Sequence, residues 1–389
     1  TAAQDHQKTL EAFIDMELNE IRLKIDEIDK ALLPLFLERM ACARQVAAIK
    51  KERGLPILNT DRENEILDHV AKQAGDYAGE ARLLYTHIME LSRGLQHNLL
   101  EDGSRLRGLL ESATPLPEGS FTVACLGDPG SFTRAAAGEL FPQGVQLPFH
   151  TFSEVFSAVA QGNADFGVVA VENSSAGSVS EVYDNILKYR FFIVGAETFR
   201  IHQCLAAPAV PTAQQPLTAV YSHPQALSQC SEVISQLGLE PVPCSSTTEG
   251  AFAAKEHGAG AAAICSLQAA ADAGLTVLRE NVQNAENNRT RFIIISRSLY
   301  ISSEAQKISL CFSLPHRTGS LYSILARFAA AGLNLTKIES RPIAGRDFEY
   351  DFYLDFTGSI HEKRVAQLLC ALSAELPRFS FLGNYCEKE

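Results

Sequence analysis

Between Leu18 and Ile49 apolar residues recur at alternating steps of three and four. That spacing is satisfied by one long α-helix carrying a continuous apolar seam. The seam reads Leu18, Ile21, Ile25, Ile28, Leu32 and Leu35, then Cys42, Val46 and Ile49, with Arg39 at the seam position between Leu35 and Cys42. A guanidinium is costly to desolvate unless an anion meets it, so Arg39 points to an anionic ligand at that level of the helix. Lys50 follows at a spacing that returns to within roughly 20° of Arg39, so the two cations share a face. Arg22 lies roughly 25 Å back along the axis, too far to serve the same small ligand. Its natural use is to enter a second chain's site, which predicts an intertwined helical dimer. Pro34 stands inside the helix and predicts a kink, because proline removes a ladder hydrogen bond.

The rest of the chain has other grammars. Residues 1–104 read as an all-α segment and 105–120, with two Pro, as a linker. Residues 121–300 alternate short apolar strands with helical stretches, which predicts an α/β segment with largely parallel strands. Residues 306–389 follow the order strand, helix, strand, strand, helix, strand, an α+β ferredoxin-like βαββαβ unit. The 389 residues are 46% hydrophobic, enough for two or three cores. No apolar run reaches the roughly 20 residues of a membrane helix, and the opening "TAAQDHQKTLEAF" lacks the regions of a signal peptide, so a cytoplasmic location is expected. Nine scattered cysteines without a CxxC pair suggest neither disulfides nor zinc. A net charge of −12 disfavours a nucleic-acid surface. No metal or cofactor is expected, and "HGAGAAA" imitates a nucleotide fingerprint without the preceding strand.

Several residues in the helical segment have plain explanations singly. Thr60 and Glu63 have capping-box spacing, Arg62 stands in a first helical turn, and Ser92 and Gln96 share a helix face. In the order Arg22, Arg39, Lys50, Arg62, Glu63, Ser92, Gln96, they resemble the helical chorismate mutase family. The resemblance implies a domain-swapped dimer whose site binds a dicarboxylate with arginines from both chains. Lys50 and Gln96 would donate to the ether oxygen that gains charge as its bond stretches, while the site holds the compact conformer. Asn59 stands where some members have aspartate, a departure that weakens a contact to the substrate hydroxyl.

In the α/β segment, "LGDPGSFTRAA" is a strand, a Gly-rich turn and a helix start with Ser131 and Thr133, where free N–H groups suit a carboxylate. A similar turn carries Ser246 and Thr247. Polar residues follow other strands: Glu172, Asn173 and Ser174, then Ser222, His223 and Gln225. Most unusual is "NNRTRFIIISR", in which Thr290, Arg291 and Phe292 are candidate substrate contacts at the mouth of a strand that Phe292 would also anchor. Together these stretches resemble prephenate dehydratase. The resemblance implies two α/β lobes with prephenate in the cleft, Thr290 positioned on the departing hydroxyl and Arg291 nearby for charge.

In the last segment a turn through Gly319, Ser320, Leu321 and Tyr322 precedes a helix, and Glu339-Ser340-Arg341-Pro342 follows on the next strand. Both stretches resemble the ACT regulatory domain and imply an interchain phenylalanine site. The full set of resemblances implies a bifunctional chorismate mutase and prephenate dehydratase of phenylalanine biosynthesis, at least dimeric and sensitive to phenylalanine. The alternative from another class is a non-catalytic amino-acid sensor in which the helices only dimerise. Arg39 inside the seam argues against it.

Overall fold

The computed structural model describes residues 2–100, 103–316, 318–343, 345–346 and 348–388, with side chains from residue 18 onward. The seam residues form α1 (Ala2–Arg53), followed by α2 (Thr60–Ala74), a 3-10 turn at Gly75–Tyr77, α3 (Ala78–Leu100) and α4 (Ser104–Glu111). α1 continues through Pro34 as one element, so the proline costs a ladder bond and not the helix. α4 takes up much of the stretch expected to be a linker, and it buries Leu106 and Leu110.

Strands and helices then alternate: β1 (Thr122–Leu126), α5 (Phe132–Leu140), β2 (Val145–Phe149), α6 (Phe152–Gln161), β3 (Phe166–Asn173), β4 (Gly177–Ser178), α7 (Ser180–Tyr189) and β5 (Phe192–Arg200). Next come β6 (Cys204–Ala207), β7 (Ala219–Ser222), α8 (Pro224–Gln229), α9 (Ser231–Leu237), β8 (Glu240–Pro243), α10 (Thr247–His257), β9 (Ala261–Cys265), α11 (Leu267–Asp272), β10 (Thr276–Arg279) and β11 (Arg289–Ser296). The chain closes with β12 (Lys307–Ser313), α12 (Ser320–Ala330), β13 (Asn334–Pro342), β14 (Tyr350–Thr357), α13 (Lys363–Glu375), β15 (Ser380–Tyr385) and β16 (Glu387–Lys388).

The chain forms two compact units. The first comprises Thr1–Ser104, Arg317–Ala331 and Gln367–Glu375, and the second Arg105–His316, Gly332–Ala366 and Leu376–Glu389. Within the first, the α1 seam is open to solvent in the single chain: Ile21 is 58% exposed and Leu35 63%.

The second unit holds three sheets. One runs β16-β5-β11-β3-β1-β2 with β4 on β3, another β10-β6-β9-β7-β8, and a third β13-β14-β12-β15. β1, β2 and β3 are parallel, as are β7, β8 and β9. β11 lies antiparallel between β3 and β5, and β6 and β10 also run antiparallel, so each of the two lobe sheets is mixed, with parallel pairing from β3 through β1 to the edge strand β2, from β9 through β7 to the edge strand β8, and between β16 and β5. The third sheet is wholly antiparallel. Its element order is the expected βαββαβ.

β11 is the shared wall of two cores. Ile293 and Ile295 pack with Val155, Phe156 and Ile186 and with Tyr353 and Leu382 of the third sheet. Phe292 and Ile294 face Ala136 and Ala137 of α5 on the other side. The two lobes meet where Ser266 Oγ donates to Gly130 O at 2.6 Å. Gly130 has φ 86°, and a Cβ there would stand 2.8 Å from Ala269 Cα. Gly130→Ala should therefore cost about 2 kcal/mol or more, read as a lowered midpoint in denaturant unfolding.

Candidate functional sites

A cavity of about 300 Å³ lies among the first three helices, lined by Arg39, Lys50, Asn59, Arg62, Glu63, Ser92 and Gln96 together with Arg93. Arg39 is pinned to α3, its Nη1 donating to Ser92 Oγ at 3.0 Å. Lys50 Nζ donates to Ile57 O at the end of the α1–α2 loop. Burial lowers the Lys50 pKa from its ordinary value, and the Glu63 carboxylate opposes that shift. Gln96 is buried, with Nε2 3.3 Å from Ser92 O and Oε1 without a hydrogen-bond partner among the described residues. Four of the lining side chains are cations, Arg39, Lys50, Arg62 and Arg93, set against the Glu63 carboxylate. Such a cavity favours a small, multiply charged anion.

The helix cap differs from the expectation. Asn59, not Thr60, is the N-cap of α2, its Oδ1 accepting from Arg62 N at 3.0 Å, because a short amide reaches the free first-turn N–H. Arg62 is largely solvated and pairs with Glu65 at 3.0 Å. Arg22 is exposed and bonds Asn19 at 3.4 Å, away from the cavity lining of its own chain. The sequence reading missed Arg93, whose Nη1 meets Glu63 at 2.5 and 2.6 Å. The sequence offered only a weak signal, a cation next to Ser92 and three residues before Gln96 on the same helix.

The second polar cluster sits at the mouth of β11. Thr290 Oγ1 accepts from Asn173 Nδ2 at 2.8 Å, and the same amide lies 2.9 Å from Asn288 Oδ1. Gln229, at the end of α8 in the other lobe, bonds both Asn173 and Asn288, at 3.3 and 2.9 Å. Thr290, Asn173 and Asn288 are all buried. Buried carboxamides and hydroxyls survive only when they satisfy one another or a ligand, so the cluster is a built polar site between the lobes. Gln229 and Asn288 escaped the sequence reading. Gln225, chosen instead, is exposed one turn earlier on α8.

Three of the other chosen residues cap helices at the carboxyl ends of parallel strands, the edge where open α/β sheets take ligands. Ser131 caps α5, Ser246 caps α10 with Thr247 at its first position, and His223 caps α8 through Nδ1. Burial lowers the His223 pKa, keeping the ring neutral as an acceptor. Thr133 is half-buried in the first turn of α5. Ser222 is fully buried and donates to Ile264 O, a structural bond across the sheet. Ser174 is exposed and ties the β3 end to Asn287 O at 2.9 Å.

Three placements correct the sequence reading. Arg291 points away from Thr290 into an ion-pair cluster: Nη1 is 2.7 Å from Asp355 Oδ2, Nη2 2.7 Å from Tyr385 Oη, and Nε meets Glu387. Burial opposes its charge, but Asp355, Tyr385 and Glu387 hold it firmly protonated. Phe292 is core, edge-on to Phe199 at 5.6 Å. Glu172 pairs with Lys337 of β13 at 2.9 Å. Alternation along a strand is the cause for Arg291 and Glu172, since neighbours of Thr290 and Asn173 must face the opposite side, whereas Phe292 shares the Thr290 face but lies deeper, in the core against α5.

In the C-terminal segment, Gly319 is the left-handed N-cap of α12, φ 82°, ahead of Ser320 and Leu321. Tyr322 stands edge-on to His87 at 5.1 Å. Glu339, Ser340, Arg341 and Pro342 lie on the edge strand β13, where Arg341 pairs with Asp184 at 3.2 Å.

The helical unit thus holds a cation-rich cavity, and the α/β unit two lobes with a buried polar cluster between them. Residues 21–97 match the family described as chorismate mutase type II, and residues 123–299 match prephenate dehydratase. The bifunctional chorismate mutase/prephenate dehydratase of Pseudomonas aeruginosa is 33% identical, over 95% of this chain and 97% of that one. A solved prephenate dehydratase from Arthrobacter aurescens in complex with L-Phe is 33% identical with TM-score 0.62, covering 68% of this chain and 89% of that one. A structure described as GqqA, a novel type of quorum quenching acylase, has 32% identity and the same TM-score of 0.62, covering 68% of this chain and 98% of that one. The chain belongs to the bifunctional chorismate mutase/prephenate dehydratase family.

Breaking the Arg291 cluster leaves the buried Asp355 carboxylate without an ion partner among the described residues and Glu387 with Lys307 alone. Arg291→Met should destabilise the second unit by about 3–5 kcal/mol in denaturant unfolding at neutral pH. The Glu387 carboxyl is buried, which raises its pKa, but Arg291 and Lys307 outweigh burial and depress it. The stability it confers is therefore present above the ordinary carboxylate range and lost as pH falls through the depressed value, and Arg291→Met should flatten that acid limb.

Proposed function

We propose that the helical cavity rearranges chorismate to prephenate and that the cluster around Thr290 receives prephenate and converts it to phenylpyruvate. The observation that carries the reading is the convergence of Arg39, Lys50 and Gln96 on one cation-rich cavity. Arg39, with the partner's Arg22, would hold the two carboxylates, and Asn59, Arg62, Glu63 and Ser92 would complete the wall. The pericyclic step needs no acid, base or nucleophile. Its rate comes from holding the compact conformer while Lys50 and Gln96 stabilise the ether oxygen as the C–O bond breaks and the new C–C bond forms. The open α1 seam supports at least a dimer, because so much apolar surface needs a second copy to cover it.

In the dehydratase step the ring carboxylate leaves as carbon dioxide, its bonding electrons complete the aromatic ring, and the ring hydroxyl departs and takes a proton to become water. Thr290 accepts from Asn173, which leaves its own O–H to donate to that departing oxygen. Aromatisation supplies the drive, so orientation and one donor suffice. Ser131, Thr133, Ser246 and Thr247 at the helix starts would bind the carboxylates. The βαββαβ segment is read as an ACT module whose effector is phenylalanine. An effector that binds one arrangement better shifts the population toward it. The nine free cysteines suit a reducing, cytoplasmic setting.

Lys50→Ala should lower mutase turnover by about a hundredfold or more and leave dehydratase turnover intact, while Thr290→Ala does the reverse. Parallel loss of both activities in either variant would contradict two separate sites. A donor must carry its proton, so mutase kcat/KM should fall as pH rises through a value below the ordinary lysine pKa of about 10.4. The dehydratase profile should lack that limb.

A further inference from the structure

We infer that Arg93 is a positioning residue of the mutase cavity and that Glu375, on the C-terminal helix α13, holds it in place. The inference rests on reading the cavity as the mutase site. The Arg93 side chain is only 12% exposed and lines the cavity. Its Nη1 alone donates to both oxygens of Glu63, at 2.5 and 2.6 Å. Its other nitrogens face anions outside the lining, with Nε 3.6 Å from Glu375 Oε1 and Nη2 4.0 Å from Glu90 Oε1. Glu375 is held in turn by Arg327 of α12 at 2.7 Å, with His97 Nε2 at 3.7 Å, and Glu90 accepts from the Ser323 hydroxyl. A row of alternating charges thus runs from the cavity wall to both C-terminal helices, all inside the first compact unit. Burial raises the Glu375 pKa, but Arg327 and Arg93 outweigh it and keep the carboxyl ionised.

In such a row each charge is bearable only because its neighbours compensate it, and a member that loses its partner turns to another. For Glu63 the alternative is Lys50, whose charged form it already favours. A freed Glu63 would draw the Lys50 ammonium away from the ligand and set a bare carboxylate before a doubly negative substrate. Arg93 prevents both by occupying the two Glu63 oxygens, and the Glu375 carboxylate, 3.6 Å from its Nε, holds it there by charge and not by a hydrogen bond.

The test uses the full chain, with chorismate as substrate and dehydratase turnover as the fold control. Arg93→Gln should raise KM for chorismate about tenfold and lower kcat, because a charged hydrogen bond is lost on a wall that meets substrate. Arg93→Lys, which keeps the charge but cannot span Glu63 and Glu375, should recover only part of the loss. Glu375→Gln should shift KM in the same direction by about threefold, and the double variant should be no worse than Arg93→Gln alone. Should Arg93→Gln lose dehydratase turnover as well, Arg93→Lys and Glu375→Gln carry the test. Mutase parameters within about twofold of the parent in these variants would overturn the inference, as would losses that multiply in the double variant. Lys50→Ala, run beside them, separates the two readings. If it keeps mutase turnover, the cavity assignment itself falls; if it is inactive while the Arg93 variants are normal, only the role of Arg93 falls.

Discussion

The pleat of β11 is the constraint on which the second unit depends. Successive side chains on a strand face opposite ways, so Thr290 and Arg291 cannot serve the same pocket. Thr290 meets Asn173 at the lobe interface, and Arg291 turns to Asp355, Tyr385 and Glu387. The paired strand repeats the arrangement: Asn173 joins the polar cluster, and Glu172 before it binds Lys337. Two adjacent strands therefore each carry a polar residue into the interlobe cluster and a charged one into the third sheet. A rigid backbone joins the two, which is the kind of connection through which binding at one place biases geometry at another.

The first unit solves a different problem. An acidic chain with net charge −12 gathers four cations around one small cavity, and for three of them, Arg39, Lys50 and Arg93, desolvation has to be compensated, while Arg62 stays largely solvated. Compensation comes in two forms. Arg39 and Lys50 spend donors on Ser92 and the Ile57 carbonyl, and Arg93 spends its charge on Glu63 and Glu375. The first two contacts are hydrogen bonds to neutral groups, so those cations keep their positive potential for a ligand. The contacts of Arg93 are to carboxylates, so its charge is largely used up. This division separates binding cations from a structural one among residues that look alike in sequence.

The order of elements was legible because periodicity and turn residues report it directly: the seam of α1, the strand–turn–helix at Ser131, and the βαββαβ order. Site residues carried by a turn or a seam were equally legible, which is why Arg39, Lys50 and Thr290 stand at polar sites. What sequence could not supply was facing. A bulge interrupts the register between Arg291 and Phe292, and only three-dimensional pairing shows which neighbour turns to the cleft. Gln229 and Gln225 are one helical turn apart, and tertiary packing alone chooses the first. Arg93 was passed over because a lone arginine on a polar helix face reads as solvated until Glu375, far away in the chain, is placed beside it.

A crystal structure of the protein with a non-reactive dicarboxylate analogue of prephenate would probe this facing rule at its root. The account predicts Thr290 Oγ1 and Asn173 within hydrogen-bonding reach of the analogue's hydroxyl, with Arg291 still paired to Asp355 and Glu387. An analogue gripped by the Arg291 guanidinium, with Thr290 turned away, would contradict it.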